Sequence, residues 1–359
     1  MLTVDKPSLR PSRSGPALPV RFLLAGLLLT GWGNAQAPPP SVILVVADGM
    51  GSGQHALAYY FTDNYPLVRF KHVGLMTTHP FRKDLITDSA ASATALATGH
   101  KTRNAVISQD ANGQRLETAL EVAEAQGMVT GIVTTASITD ATPAAFATHQ
   151  PSRSNHREIA REITAAGIEV LLGGGRKYFG RGLLRELEEQ GVQVITDFSG
   201  SLEPNRPVLG LFAADEMETL PDRKPTLLDM VSLALGRLEN HPSGFFLLVE
   251  DEGVDTESHR NNTAGVLAAL RDLMATMDYL LDYQAQHPDI LLIFLGDHET
   301  GGLIFEQRRG HVGKLKWTTG GHTGNFVPVF ASGPGSEFFD GILDNTDVGK
   351  FLIDHLRDR

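Results

Sequence analysis

Seven short apolar runs recur along the chain, and each is bounded by turn-forming or polar residues. The first is VILVVA, which ends at Asp48, and the others are VTGIVTT, EVLLGG, VQVIT, FFLLVE, DILLIFLGD and VPVFASG. Continuous runs of this length are typical of strands that are buried on both faces of a parallel sheet. Helical patterns such as TLLDMVSLALGRL lie between them. The alternation predicts an α/β fold, a three-layer α/β/α sandwich with a central, mostly parallel sheet.

The chain of 359 residues shows no convincing boundary between two large domains. Its length and its 42% hydrophobic content are sufficient to bury a sizeable core. We therefore expect residues 38–359 to form a single domain. The least regular stretch, 197–225, is either a loop excursion or part of a small subdomain.

The N-terminal residues have the pattern of a secretory signal peptide. Four basic residues precede the apolar run FLLAGLLLTGW, and small residues follow in GNAQA. This order predicts a signal peptide over residues 1–37, cleaved after Ala35 or Ala37, and a periplasmic or secreted protein. The alternative is an uncleaved anchor, although the apolar run is short for a membrane span.

Charge and composition exclude several kinds of partner and site. The formal net charge of −11 argues against nonspecific binding to nucleic acid or to an anionic membrane. The chain has no cysteine, which excludes disulfides, thiolate metal sites and cysteine nucleophiles. Any metal site must be built from histidine, carboxylate and hydroxyl groups.

Polar residues follow four of the predicted strands directly or within a few positions. They are Asp48, Thr135 leading to Asp140, Glu250, and the pair Asp297-His298. Ligands in open α/β sheets bind outside the carboxyl ends of the strands. The sequence therefore predicts one site that combines these groups.

Two local patterns within this set are typical of metal ligands. Asp255 and His259 are four residues apart, one turn of a helix, so both can face one ion. Asp297 and His298 are adjacent at a strand end, and His322 lies in the glycine-flanked segment GGHTG. Histidines combined with carboxylates suit zinc.

Hard oxygen ligands are present as well. Asp48 can contact two metals through its two carboxylate oxygens, while Thr142 and Glu250 offer the oxygen ligands that magnesium prefers.

The segment TDSAASATALATG at residues 87–99 is a helix pattern made almost entirely of small residues. Such side chains bury little apolar area, so we expect this helix not to be mainly a core element. We expect it instead to leave Ser89 uncovered in its first turn.

Six segments together resemble the alkaline phosphatase family. In chain order they are VVADGMG, TDSAASATALATGHKT, TDATPAAFATHQPSR, VEDEGVDTESH, GDHETGG and GGHTGNFVPVFASG. The resemblance runs from about residue 42 to 355 and implies an alkaline-phosphatase-like fold. It also implies a metal-dependent phosphate monoester hydrolase with a phosphoserine intermediate, a broad substrate range and an alkaline pH optimum. The alternative is a phosphodiesterase or phosphomutase of the same metalloenzyme superfamily.

The resemblance also implies a role for particular residues. Ser89 is the expected nucleophile and Arg153 the expected phosphate clamp. Two zinc ions and one magnesium ion are expected per chain. Their implied ligands are Asp255, His259 and His322 for the first zinc, Asp48, Asp297 and His298 for the second, and Asp48, Thr142 and Glu250 for magnesium.

Two further positions border the expected metals. The resemblance implies that Asp140 holds water around the third metal. Thr256 stands where many members of the family carry a lysine, histidine or tryptophan, so we expect a weaker grip on phosphate and faster product release. The family is usually homodimeric, which makes a homodimer possible here.

Overall fold

The computed structural model describes residues 41–81, 84–218, 223–306 and 314–357. The predicted signal peptide at 1–37 lies outside the described residues. The described strands are β1 (Ser41–Ala47), β2 (His72–Thr77), β3 (Val129–Ser137), β4 (Val170–Gly174), β5 (Gln193–Ile195), β6 (Val208–Leu211), β7 (Phe245–Asp251), β8 (Ile290–Leu295), β9 (Glu299–Thr300), β10 (Ile304–Glu306), β11 (Lys314–Lys316), β12 (His322–Thr323), β13 (Val327–Ser332) and β14 (Gly341–Asp344).

The α-helices lie mainly between these strands, as the alternating pattern predicts. They are α1 (Ser52–Phe61), α2 (Ser89–Thr98), α3 (Ala119–Ala125), α4 (Ala141–Ala147), α5 (His156–Ala165), α6 (Arg181–Glu189), α7 (Leu227–Leu238), α8 (Gly253–His259), α9 (Thr263–Gln286) and α10 (Asn345–Arg357). No helix in the described ranges is long and apolar enough to cross a bilayer.

Ten strands form one sheet in the order β14-β2-β13-β8-β1-β7-β3-β4-β6-β5. Neighbouring strands are parallel throughout, except that β13 runs antiparallel to both β2 and β8. Two small antiparallel pairs, β10 with β11 and β9 with β12, lie outside this sheet. The parallel strands β8, β1, β7 and β3 are adjacent, so their carboxyl ends meet along one edge.

Both faces of the sheet are covered, because successive side chains of a strand point to opposite sides. Val45 of β1 packs in the same core as Leu273 of α9. The neighbouring Leu44 packs in a second core with Leu352 of α10. All four side chains are fully buried. The predicted three-layer α/β/α sandwich with a mostly parallel sheet is confirmed.

The structure adds three strands to the main sheet that the sequence pattern did not predict. Strand β6 lies within the irregular stretch 197–225, yet it pairs with β4 and β5 in the main sheet. Residues 208–211 are therefore neither a loop excursion nor part of a subdomain. Strands β2 and β14 pair near the opposite end of the sheet.

Candidate metal centre and nucleophile

The carboxyl ends of β1, β7, β8 and β3 bring separate segments of the chain together. Val46 is in register with Glu250 on one side and with Leu295 on the other, and Thr134 also pairs with Glu250. The backbone N–H of Asp48 donates to the carbonyl of Asp251 at 2.9 Å. The polar residues that follow these strands consequently share one edge of the sheet.

The first ligand group consists of Asp255, His259 and His322. Helix α8 places Asp255 and His259 one turn apart, with His259 Nε2 3.2 Å from Asp255 Oδ2. His322 comes from β12, which pairs with β9 through Thr300. Its Nε2 lies 3.1 Å from His259 Nε2 and 3.8 Å from Asp255 Oδ1. The ligand atoms of the three residues thus point toward one another.

The backbone holds both imidazole rings in a fixed orientation. His259 Nδ1 lies 2.8 Å from the Gly320 carbonyl, and His322 Nδ1 lies 2.8 Å from the Thr87 carbonyl. A carbonyl can only accept, so each Nδ1 carries the proton, and a neutral ring then presents a lone pair on Nε2. Two lone pairs facing each other at 3.1 Å require a cation or a proton between them. Ring placement of this kind is typical of metal-ligating histidines.

The second ligand group, Asp48, Asp297 and His298, is almost completely shielded from solvent. His298 Nε2 lies 3.3 Å from Asp48 Oδ1 and 3.3 Å from Asp297 Oδ2. Asp297 Oδ1 accepts from the N–H groups of Gly49 and His298. Within the described ranges, Asp48 Oδ1 and Asp297 Oδ2 receive no hydrogen bond although both are buried. Buried carboxylate oxygens without donors fit a bound cation.

Gly49 allows the end of β1 to approach helix α8 closely. Its φ is +70°, and a Cβ at this position would lie 2.6 Å from Asp255 Oδ1 and 2.8 Å from the Asp255 Cα. Only glycine fits both the left-handed backbone and this contact. The glycine therefore brings the first and second ligand groups together.

Crowding of negative charge shifts the protonation of these groups. Burial, together with Asp297, raises the pKa of Asp48 well above its ordinary value. Burial also raises the pKa of Asp297 to about 7. Burial alone would raise the pKa of Asp255 as well. The hydrogen bond from His259 and the electrostatic influence of the nearby His298 have the larger combined effect, and they lower the pKa of Asp255 to about 2. Cations at this edge would offset the repulsion.

A third group of carboxylates contains one residue that the sequence reasoning missed. Ligand oxygens of Asp48, Glu250 and Glu252 lie within 4.8 Å of one another. Glu250 accepts a hydrogen bond of 2.5 Å from the Thr134 hydroxyl, and burial raises the pKa of Glu250 to about 8. Thr142, the other predicted ligand, lies on α4. Its buried hydroxyl is close enough to Glu250 to lower the pKa of that carboxyl, but it makes no hydrogen bond of regular geometry in the described part of the chain.

Glu252 could not be placed from the sequence spacing. It follows the last residue of β7, and its φ of −84° and ψ of −21° are helical, so strand alternation does not put it on the same face as Glu250. The motif resemblance directed attention only to Glu250, because no role attaches to the second glutamate in that pattern.

Ser89 occupies the first position of α2, and its hydroxyl Oγ lies 3.2 Å from His298 Nε2. Asp88 caps this helix by accepting the Ala91 N–H at 2.9 Å through Oδ1. The helix N-terminus favours negative charge that develops beside it. The serine oxygen is thus held against the second ligand group at the positive end of a helix.

The expectation that α2 is not mainly a core element is wrong. All ten of its residues are buried, and Leu96 packs beside α10 in one of the two main cores. The helices approach so closely that a Cβ on Gly349 of α10 would lie 2.3 Å from the Ala95 carbonyl oxygen. The small side chains of α2 allow it to pack this closely against α10. Ser89, at 5% exposure, is also more covered than expected.

Arg153 lies beside the helix that carries Ser89. Its Nη2 pairs with Asp140 Oδ1 at 2.7 Å, and its Nη1 lies 3.6 Å from Asp88 Oδ2. Burial disfavours the charged guanidinium and acts to lower its pKa. The carboxylates of Asp140 and Asp88 have the larger combined effect, and they raise the pKa of Arg153 above its already high value. The guanidinium is oriented and permanently charged. Asp140 contacts this arginine and is not among the three ligand groups.

Thr256 lies on the first turns of α8 and contributes no charge. Its hydroxyl donates to Glu252 Oε1 at 3.3 Å. Both residues line a cavity of about 380 Å³, which also contains Glu216 and Arg260. Thr256 is therefore next to the third ligand group.

Comparisons with known proteins identify similar chains. A sequence model of the family described as "Alkaline phosphatase" matches residues 40–313. Alkaline phosphatase 4 of Bacillus subtilis (strain 168) is 32% identical, covering 88% of each chain. A mutant of TAB5 alkaline phosphatase, solved with Mg bound in the M3 site, has a TM-score of 0.82 at 31% identity, over 89% of this chain and 98% of that one. A cold-active alkaline phosphatase from the psychrophile Shewanella sp. has a TM-score of 0.84 at 31% identity, over 89% of this chain and 100% of that one.

Proposed function

This chain belongs to the alkaline phosphatase family, and we propose that it hydrolyses phosphate monoesters through a phosphoserine formed on Ser89. The observation that carries the assignment is the position of Ser89 Oγ, 3.2 Å from His298 Nε2 at a helix N-terminus. An alkaline pH optimum and a broad range of small monoesters belong to the same proposal.

The protein depends on metal, and the proposal extends to two zinc ions and one magnesium ion per chain. Asp255, His259 and His322 would hold the first zinc. The second zinc would be held by Asp48, Asp297 and His298, and magnesium by Asp48, Thr142 and Glu250. The unpaired oxygens of Asp48 and Asp297 and the opposed lone pairs of the two histidines support this assignment. When bound, the cations lower the proton affinity of nearby hydroxyl groups and neutralise charge on phosphoryl and leaving-group oxygens.

The side chains then account for two successive displacements at phosphorus. In the first, Ser89 Oγ forms a bond to phosphorus while the ester P–O bond breaks, and the alcohol leaves with a proton. In the second, a water oxygen bonds to phosphorus while the Oγ–P bond breaks. The water gives up a proton, Ser89 Oγ regains one, and inorganic phosphate is released. The N-terminus of α2 stabilises the negative charge in both steps. The fork of Arg153 holds two phosphoryl oxygens.

The alternative activities are separated by substrate and product. We expect rapid release of p-nitrophenol from p-nitrophenyl phosphate and much slower release from bis-p-nitrophenyl phosphate. Inorganic phosphate should appear in equal amount with p-nitrophenol. Preference for the diester indicates a phosphodiesterase, and transfer of phosphate to another hydroxyl without its release indicates a phosphomutase.

Replacing Arg153 with alanine should chiefly weaken phosphate binding. The loss of charge-assisted hydrogen bonds is expected to raise the inhibition constant for inorganic phosphate by roughly 10- to 100-fold. Inhibition of p-nitrophenyl phosphate hydrolysis measures this effect. Arg157→Ala is the matched control, because Arg157 is exposed on α5 only four residues away. Equal inhibition constants in the two variants would show that Arg153 does not bind phosphate.

Thr256, Asp140 and the N-terminal segment complete the proposal. Thr256 carries no positive charge that could attract phosphate, in keeping with weaker phosphate binding and faster product release. Asp140 orients Arg153 as well as any water around the third metal. Export through the segment at 1–37 to the periplasm or medium, and assembly as a homodimer, remain proposals.

A further inference from the structure

Glu252 occupies a fixed position between β7 and α8. Its N–H donates to the Thr135 hydroxyl at 2.9 Å, and its carbonyl accepts the N–H of Thr256 at 3.1 Å. The Thr256 hydroxyl also donates to its Oε1. Backbone and side chain are thus both held, and a carboxylate oxygen of Glu252 lies within 4.8 Å of ligand oxygens of Asp48 and Glu250.

No cationic side chain balances this carboxylate in the part of the chain that the structure describes. The two arginines that line the same cavity are engaged elsewhere. Arg223 pairs with Asp272 and approaches Asp251, while Arg260 pairs with Glu257 at 2.7 Å. Three carboxylates this close together repel one another unless a cation lies between them.

A second observation points to a ligand at this place. Thr142 is 1% exposed, and its hydroxyl oxygen, which lies beside Glu250, makes no hydrogen bond of regular geometry within the described ranges. Buried oxygens without donors are rare in proteins, and a coordinated cation satisfies them.

We infer that Glu252 is a direct ligand of the third metal ion, in addition to Asp48, Glu250 and Thr142. The inference rests on the proposed third-metal position. It goes beyond that position because the Glu252 carboxylate, the third in the set, would take the place of a water ligand. Affinity for hard cations rises with the number of charged oxygen ligands. A set of oxygens without imidazole or thiolate favours Mg²⁺, Mn²⁺ or Ca²⁺ over zinc.

The test measures binding of Mn²⁺ to the zinc-loaded chain by the loss of the free Mn²⁺ signal in electron paramagnetic resonance. Glu252→Gln is expected to raise the Mn²⁺ dissociation constant by at least about tenfold. Glu216→Gln is the matched control, because Glu216 lines the same cavity but contributes no atom to the carboxylate group. This exposed control should change the dissociation constant by less than about fivefold. Equal effects of the two substitutions would overturn the inference.

A second variant protects the test against misfolding. Glu252→Asp keeps the charge but withdraws the carboxylate by one methylene, so weaker Mn²⁺ binding is again expected. Wild-type affinity in Glu252→Asp would count against direct coordination. If the wild-type chain binds no Mn²⁺ beyond its zinc sites, the inference also fails. Release of p-nitrophenol, measured separately, reports on the proposed phosphatase activity.

Discussion

Replacing Ser89 with alanine is expected to abolish phosphoenzyme formation and to lower kcat for p-nitrophenyl phosphate by at least about 10³-fold. The reason is that the hydroxyl at the N-terminus of α2 is the group proposed to bond to phosphorus. Zinc and magnesium content should stay near that of the wild type, since histidine and carboxylate groups of other residues make up each of the ligand groups. Mass spectrometry of acid-quenched protein detects the phosphoryl group, and steady-state assays give kcat.

Ser154→Ala is the control for the serine substitution. Ser154 is exposed beside Arg153, and its removal should leave phosphoenzyme formation and kcat near the wild-type values. Substantial turnover in Ser89→Ala at normal metal content would show that the covalent route through this serine is wrong.

Removing the metals with a chelator should abolish activity and make stability depend strongly on pH. In the metal-free protein, burial raises the pKa of Glu250 from 4.5 to about 8 and the pKa of Asp297 from 3.8 to about 7. The folded state then binds more protons than the unfolded state between these values. The contribution of these two groups to the free energy of unfolding is therefore highest below about pH 4 and falls as pH rises to about 8.

The expected loss across this window is on the order of several kcal/mol, or roughly 5–10 °C in Tm. The metal-loaded chain should show little of this dependence, because cations replace the protons on the same oxygens. Thermal unfolding at pH 5 and at pH 9, with and without chelator, measures both effects. An equal drop in Tm on chelation at the two pH values would contradict the explanation.

The central strands were predictable because they are buried on both faces. VILVVA and FFLLVE are continuous apolar runs, and they became β1 and β7. Strand β2 has a mixed burial pattern, and β6 is four residues long with a glycine inside it. Neither resembles a buried strand locally, so only pairing with sheet neighbours defines them. The antiparallel direction of β13 is likewise set by its partners and leaves no mark in its own sequence.

The site residues divide in the same way, into those that local spacing predicts and those that only contacts between distant segments bring together. The four-residue spacing of Asp255 and His259 indicated a shared helix face, and α8 provides it. The contact between His259 and His322 joins residues 63 positions apart and depends on the pairing of β9 with β12. Spacing alone could not give it: the glycine-flanked segment GGHTG made His322 a candidate ligand, and only the motif resemblance grouped it with His259. The position of Glu252 beside Asp48 and Glu250 was missed because the motif directed attention to Glu250 alone.

The contact between α2 and α10 supports the proposed nucleophile mechanically. Gly349 lets α10 lie directly on the helix that begins with Ser89. A bulkier residue at this position would wedge the two helices apart and displace the serine oxygen. The position of the Ser89 oxygen is therefore supported from behind by a helix that lies far from it along the chain, so the proposed nucleophile reaches its final place only when α2 and α10 have packed together.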